Sequence, residues 1–147
     1  AHWVHMGWIH FFLNMLAFAC LPFIFPHVRN WHRCVLLLIL PLFISLIFYF
    51  YLPYIDAYAG LSGVLHGLYV AVGLVYLKYP KEKKFAVLVL FLIIAKLGWE
   101  NTFGQTSTAQ LIGSPVLTEA HLVGAIGGLL CGLGYLFFRR LQREHIS

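Results

Sequence analysis

Gly60-Leu61-Ser62-Gly63-Val64-Leu65-His66-Gly67 opens an apolar run that continues to Tyr79. It sets a serine hydroxyl between glycines at the head of a membrane-length segment, with an imidazole four residues further on. A second such segment opens Ala120-His121-Leu122-Val123-Gly124, with Gly128 and Gly132 following at helical spacing. An ionisable group inside a membrane span costs about 2.5–3.5 kcal/mol or more, so lipid packing alone gives no reason for His121. A nucleophile-type serine and a base-type histidine, each at the start of a Gly-rich span, point to a serine hydrolase working inside a bilayer.

The composition identifies the solvent. Hydrophobic residues make up 61% of the 147, charged residues only 10%, and the mean hydropathy is +0.84. A soluble domain carries about a quarter charged residues. The pI near 9.3 does not imply nucleic acid as a partner, because the ten Lys and Arg lie in short clusters between apolar stretches and form no basic face. Cys20, Cys34 and Cys131 stand in or beside apolar segments at unrelated spacings, which predicts buried free thiols. No repeat, low-complexity tract or linker divides the chain, so residues 1–147 read as one polytopic membrane domain. Entry into an apolar segment without an initiator Met or charged leader is the pattern expected of a fragment.

Crossing about 30 Å of hydrocarbon takes roughly 17–25 apolar residues. Five stretches serve: Trp8 to Phe25, Val35 to Tyr54, Leu61 to Tyr79, Phe85 to Trp99, which is short, and Leu117 to Phe138. The predicted fold class is therefore all-α, a polytopic membrane helix bundle. Arg29 and Arg33 follow the first stretch, Lys78, Lys81, Lys83 and Lys84 the third, and Arg139, Arg140 and Arg143 the fifth. These loops share one side and hold nine of the ten basic residues, which makes that side cytoplasmic. The opposite loops carry Asp56 and Glu119, with Glu100 at their edge.

Ser62 and His121 then lie at similar depth, near the outer ends of two inward-running helices. Ser62 falls in the first turn of its helix, where free backbone N–H groups and the helix dipole favour negative charge. Gly60 lets the chain enter that turn tightly. Gly63 and Gly67 on one helix, and Gly124, Gly128 and Gly132 on the other, form small-residue stripes that let two helices approach closely in lipid. His121 shares the second stripe, so close packing carries its imidazole toward Ser62.

Acyl transfer also needs oxyanion donors and something to hold the base. His10 and Asn14 lie one turn apart on the same face of the first segment and, with the Ser62 backbone N–H, are candidates for the oxyanion hole. Read in isolation, such residues are more often interhelical polar contacts. His66, one turn below Ser62, is expected either to support His121 by hydrogen bonding or stacking, fixing its tautomer, or to be a satisfied interior histidine. Lys96 and Glu100, one turn apart, read as a mutual pair. A metal site is the main chemical competitor. No His-Glu-x-x-His motif occurs, His5 and His10 point about 140° apart if both are helical, and no carboxylate lies in mid-span, so neither a metal nor another cofactor is expected. A transporter would string polar groups along a path through several spans, whereas these cluster at one depth.

Together these residues resemble the rhomboid family. His5-Met6-Gly7-Trp8-Ile9-His10-Phe11-Phe12-Leu13-Asn14 resembles its pattern of two histidines five apart followed by Asn. Gly60-Leu61-Ser62-Gly63 is similar to its nucleophile motif, and His121 through Gly128 to its catalytic-histidine helix. The resemblance implies an intramembrane serine protease with a Ser–His dyad: Ser62 the nucleophile, His121 the base, and His10, Asn14 and the Ser62 N–H the oxyanion hole. It also implies a membrane-anchored protein substrate within a lipid bilayer, and it leaves the oligomeric state open. Measured against that family the chain has five spans, and the family's first helix is missing.

A narrower resemblance is to the rhombosortases, in Gly60 through Gly67 with its His66, in Lys96-Leu97-Gly98-Trp99-Glu100, and in the outer loop from Thr108 to Pro115. It implies a bacterial inner-membrane enzyme that cleaves exported proteins at a C-terminal signal of Gly-Gly, an apolar helix and a basic tail. The alternatives are a generic rhomboid protease and a non-catalytic rhomboid-like binder. In rhomboids the helix of Lys96 and Glu100 lies beside the path by which substrate enters, which leaves a role in gating or substrate contact open.

Overall fold

A computed structural model of the chain describes residues 2–5, 7–55, 58–103, 109–110 and 116–144. Among these, five helices follow one another: α1 (Trp8–Ile24), α2 (Asn30–Tyr51), α3 (Ser62–Tyr76), α4 (Lys83–Phe103) and α5 (Thr118–Glu144). Among the described residues there is no β-strand. Three of the helices, α2, α4 and α5, are long and apolar enough to cross a membrane, while α1 and α3 are shorter apolar helices.

The helix limits depart from the predicted spans where hydrogen bonding and hydropathy part company. Composition ends the fourth span at Trp99, yet α4 runs through the polar Glu100, Asn101 and Thr102 to Phe103. There Asn101 Nδ2 donates to the Leu97 carbonyl (2.8 Å) and Thr102 Oγ1 to that of Gly98 (2.7 Å). These side chains bond back onto carbonyls four residues earlier, the local pattern that lets polar residues continue within a helix. Helix α2 begins at Asn30, well before the predicted Val35, and α3 is shorter than its span, with Leu77, Lys78 and Tyr79 in turns. The α1–α2 connection is locked by Arg33, which hydropathy assigns to the loop but which is a buried residue of α2. Its guanidinium donates to the Phe25 carbonyl and to Asn30 Oδ1, both at 2.5 Å.

Helix α3 is the hub, in contact with each of the other four helices. Gly63, Val64, Leu65, Gly67, Leu68, Val70, Ala71, Val72, Gly73 and Tyr76 are all buried, so it is enclosed on nearly every side. Leu40 and Ile44 of α2, Leu21 of α1 and Val123 of α5 close around it. The outer helices turn their other faces outward, with Phe23 84%, Leu38 74%, Ile94 68% and Phe137 65% exposed, which is the surface a lipid solvent requires rather than water. The predicted burial of the cysteines is not met: Cys34 is exposed on α2, and Cys20 and Cys131 are half-buried, all as free thiols.

Among the described residues α5 packs more extensively on α3 than any other helix does, and glycine removes the side chains that would hold the two backbones apart. A Cβ on Gly63 would come within 2.7 Å of the Ala120 carbonyl oxygen, and one on Gly67 within 2.5 Å of that of Gly124. In the other direction, Gly124 faces the Gly63 carbonyl and Gly128 that of Gly67, at separations that admit no Cβ at all. A Cβ on Gly132 would meet Leu74 Cδ1 at 2.9 Å. This interface fixes both the distance and the register between the first turn of α3 and the first turn of α5.

Candidate active site

The register brings two side chains together. Ser62 is the first residue of α3 and His121 the fourth of α5. Although 59 positions apart in the chain, Ser62 Oγ lies 2.9 Å from His121 Nε2. Gly60 supplies the bend into α3: its φ is +130°, a conformation side-chain-bearing residues rarely adopt, and a Cβ there would strike the His10 ring at 2.7 Å. Ser62 and His121 line a cavity of about 360 Å³ together with His10, Asn14, Tyr58, His66 and Lys96.

The imidazole of His121, itself only 3% exposed, is held from two sides. Its Nδ1 lies 2.8 Å from Glu100 Oε2. His66 stacks on it, with ring centres 4.2 Å apart and planes 18° from parallel. The partners fix the protonation pattern. Nδ1–H of His121 donates to the carboxylate, which turns the Nε2 lone pair toward the Ser62 hydroxyl. His66 donates Nδ1–H to the Ser62 carbonyl (2.7 Å), and its Nε2 accepts from Lys96 Nζ (3.2 Å). Lys96 also donates to Glu100 Oε1 at 2.5 Å. The expected Lys96–Glu100 pair is thus present, but it does not exhaust Glu100. Of the two arrangements expected for His66 beside His121, the structure has the stacked one, and the hydrogen bond to His121 Nδ1 comes from Glu100.

His10 and Asn14 both turn inward from α1 into the same cavity and are buried. Among the described residues Asn14 Nδ2 and His10 Nδ1 are buried without a hydrogen-bond partner, and both residues line the cavity next to Ser62. A buried polar atom left without a partner costs about 1–3 kcal/mol, so two on residues lining one cavity suit a group that arrives later. The Ser62 N–H, in the first turn of α3, has no partner within its helix. His5 does not diverge from His10 as a continuous helix would require. The helix starts only at Trp8, and the two rings meet edge to face at 5.3 Å.

One residue of the site went unread in the sequence. The Tyr58 hydroxyl accepts from the Gly63 N–H at 3.2 Å and has Ser62 as a further partner. Burial pushes its pKa up, so it stays a neutral phenol. For Glu100 the sequence offers a pair with Lys96 and a role in gating or substrate contact, but not the contact with His121. The available signal was an acidic side chain at the end of an apolar helix, in a chain with only five carboxylates.

Glu100 also brings a carboxylate where none was expected, and donor atoms of His66, Glu100 and His121 lie within 4.8 Å of one another. The Lys96 ammonium already sits on Glu100 Oε1, so a metal cation would have to displace it. Asp56 and most of the Thr108–Pro115 loop lie outside the described residues.

A polytopic helical membrane protein with a serine and an imidazole in hydrogen-bond contact at one end of its central helix defines a small class. The family model of the rhomboid domain matches residues 1–139, and the chain belongs to the rhomboid family. Members of that family are generally intramembrane serine proteases, with inactive forms among them. No curated protein and no solved structure matched the chain in the corresponding comparisons.

Proposed function

We propose that this chain is an intramembrane serine endopeptidase in which Ser62 is the nucleophile and His121 the general base. The observation that carries the reading is the 2.9 Å contact between Ser62 Oγ and His121 Nε2 inside a cavity that also holds the unpartnered Asn14 Nδ2. Nε2 takes the hydroxyl proton as Oγ adds to the scissile carbonyl. The oxyanion is met by Asn14, His10 and the Ser62 N–H, donors that need no rearrangement at the moment of reaction. The imidazolium then returns its proton to the leaving amine as the C–N bond breaks, and a water activated by His121 cleaves the acyl-enzyme. His66, stacked beneath His121, restricts the ring to this orientation.

An active end on the outer face is supported by the basic loops, through the positive-inside rule. The substrate is then a single-span protein cut near the outer end of its helix. Within the rhomboid readings, the rhombosortase type is supported by Gly60 through Gly67 with His66, and by Lys96 through Glu100. The test is labelling of Ser62 by a serine-reactive fluorophosphonate in membranes. Label is expected on wild type and absent from Ser62→Ala and His121→Ala, with the double variant no worse than either, because the pair acts as a unit. Equal labelling of Ser62→Ala overturns the reading.

A further inference from the structure

The geometry points to Glu100 as the third member of the catalytic group, a positioning residue that makes the site a Ser62–His121–Glu100 triad rather than a dyad. The inference rests on the hydrolase reading above and adds to it a residue on a different helix, α4. Glu100 is 3% exposed and divides its two oxygens between two partners. Oε1 takes the Lys96 ammonium at 2.5 Å, and Oε2 takes His121 Nδ1 at 2.8 Å. A structural ion pair needs only the first contact. The second is made to the one ring nitrogen that must carry a proton if Nε2 is to accept from serine.

The consequence follows from the two imidazole tautomers. A neutral ring holds one proton, and with no acceptor at Nδ1 that proton can sit on Nε2 and face Ser62 Oγ as a donor. The serine proton would then have nowhere to go. The Glu100 carboxylate favours the Nδ1–H form, so Nε2 presents its lone pair to the hydroxyl at 2.9 Å. When the Oγ–C bond forms, the serine proton moves to Nε2 and the ring becomes an imidazolium with both nitrogens protonated. Glu100 remains a carboxylate and faces the new positive charge. The proton leaves Nε2 for the departing amine as the C–N bond breaks, returning the ring to its starting form.

Lys96 completes the arrangement. It is the only Lys or Arg between Lys84 and Arg139, and it spans Glu100 Oε1 and His66 Nε2. It thereby holds the carboxylate in place from below while His66 holds the imidazole from its face. Four side chains from three helices, α3, α4 and α5, form one closed ring of contacts around the base.

The experiment uses the full chain in membranes and the fluorophosphonate probe, whose inactivation constants need no natural substrate. Glu100→Gln is expected to lower the maximal rate of Ser62 labelling about 10²–10⁴-fold, the upper end being the loss when a triad carboxylate becomes an amide. The half-saturating probe concentration is expected to stay within about twofold, since Glu100 does not touch the probe. Glu100→Asp, which keeps the charge on a shorter arm, is expected to recover at least about tenfold of that loss. Wild-type labelling by Glu100→Gln, with Ser62→Ala unlabelled, overturns the triad and leaves the hydrolase reading standing. A loss in Glu100→Gln that Glu100→Asp does not relieve, with a lowered thermal midpoint in both, assigns Glu100 to packing and also overturns it. Wild-type protein that labels no better than Ser62→Ala overturns both readings.

Discussion

Gly124 lies against the backbone carbonyl of Gly63 with no room for a methyl group between them. The same close approach recurs one turn along, where Gly128 meets Gly67. Two residues on each side thus set how far α3 stands from α5, and the Ser62–His121 distance is read out at the end of that contact. Enlarging a well-packed interface costs about 1–3 kcal/mol, and more where the obstacle is backbone that cannot rotate away. Gly124→Val and Gly128→Val are expected to lower the thermal midpoint in detergent and to abolish Ser62 labelling together. Full labelling and an unchanged midpoint in both variants would show that the two helices can separate without disturbing the site.

The sequence discloses this relationship because glycine at helical spacing has few other uses in a membrane segment. His121, Gly124, Gly128 and Gly132 share one stripe, and Gly63 and Gly67 share another, so the meeting of Ser62 with His121 is legible before any coordinates exist. Glu100 is a different matter. Its place depends on α4 continuing past Trp99, and hydropathy falls there even though backbone and side-chain hydrogen bonds carry the helix on to Phe103. Its second partner depends on how the end of α4 sits beside the start of α5, and no local pattern encodes that. His5 was misjudged for a related reason: helical geometry was extended back through Gly7, where the backbone is already extended.

Tyr58 illustrates a contact that periodicity cannot reveal, since it lies in irregular chain before α3. Its hydroxyl accepts the Gly63 N–H, one of the first-turn donors that no helix can satisfy internally. Tyr58→Phe leaves that donor without a partner in a half-buried position, at a cost of about 1–3 kcal/mol. The expected result is a fall in thermal midpoint with the protein still inserted, accompanied by slower Ser62 labelling because the first turn of α3 loosens. A midpoint within error of wild type would show that water replaces the hydroxyl at no cost.

Asn14 tests the oxyanion assignment separately from the base. Among the described residues its Nδ2 is buried without a partner, and Asn14 lines the cavity of Ser62 and His121. Removing one oxyanion donor costs about 10²–10³ in turnover, so Asn14→Ala is expected to slow cleavage of a protein substrate by that factor. The same variant is expected to retain more fluorophosphonate labelling than His121→Ala, because it keeps the base that activates Ser62. Proteolysis by Asn14→Ala at the wild-type rate would make Asn14 an interhelical packing residue.

The substrate separates a rhombosortase from a generic rhomboid protease. In the orientation proposed from the positive-inside rule, with the basic loops cytoplasmic, the bond that reaches Ser62 would lie at the outer end of a helix whose own basic tail is cytoplasmic. That bond has to leave the helix and lie extended before Oγ can approach its carbonyl. Glycine lowers helix stability by about 0.8–1.0 kcal/mol per residue relative to alanine, so a Gly-Gly at that junction frays readily. It also brings no side chain into a cleft bounded by Gly60, the His10 ring and the first turn of α3. The full-length enzyme is therefore expected to cleave an exported reporter ending in Gly-Gly, an apolar helix and an Arg/Lys tail. The same reporter with Leu-Leu in place of Gly-Gly is expected to remain intact in membranes, read by the size of the released domain. Equal processing of both reporters would assign the chain to the rhomboid proteases without the rhombosortase signal.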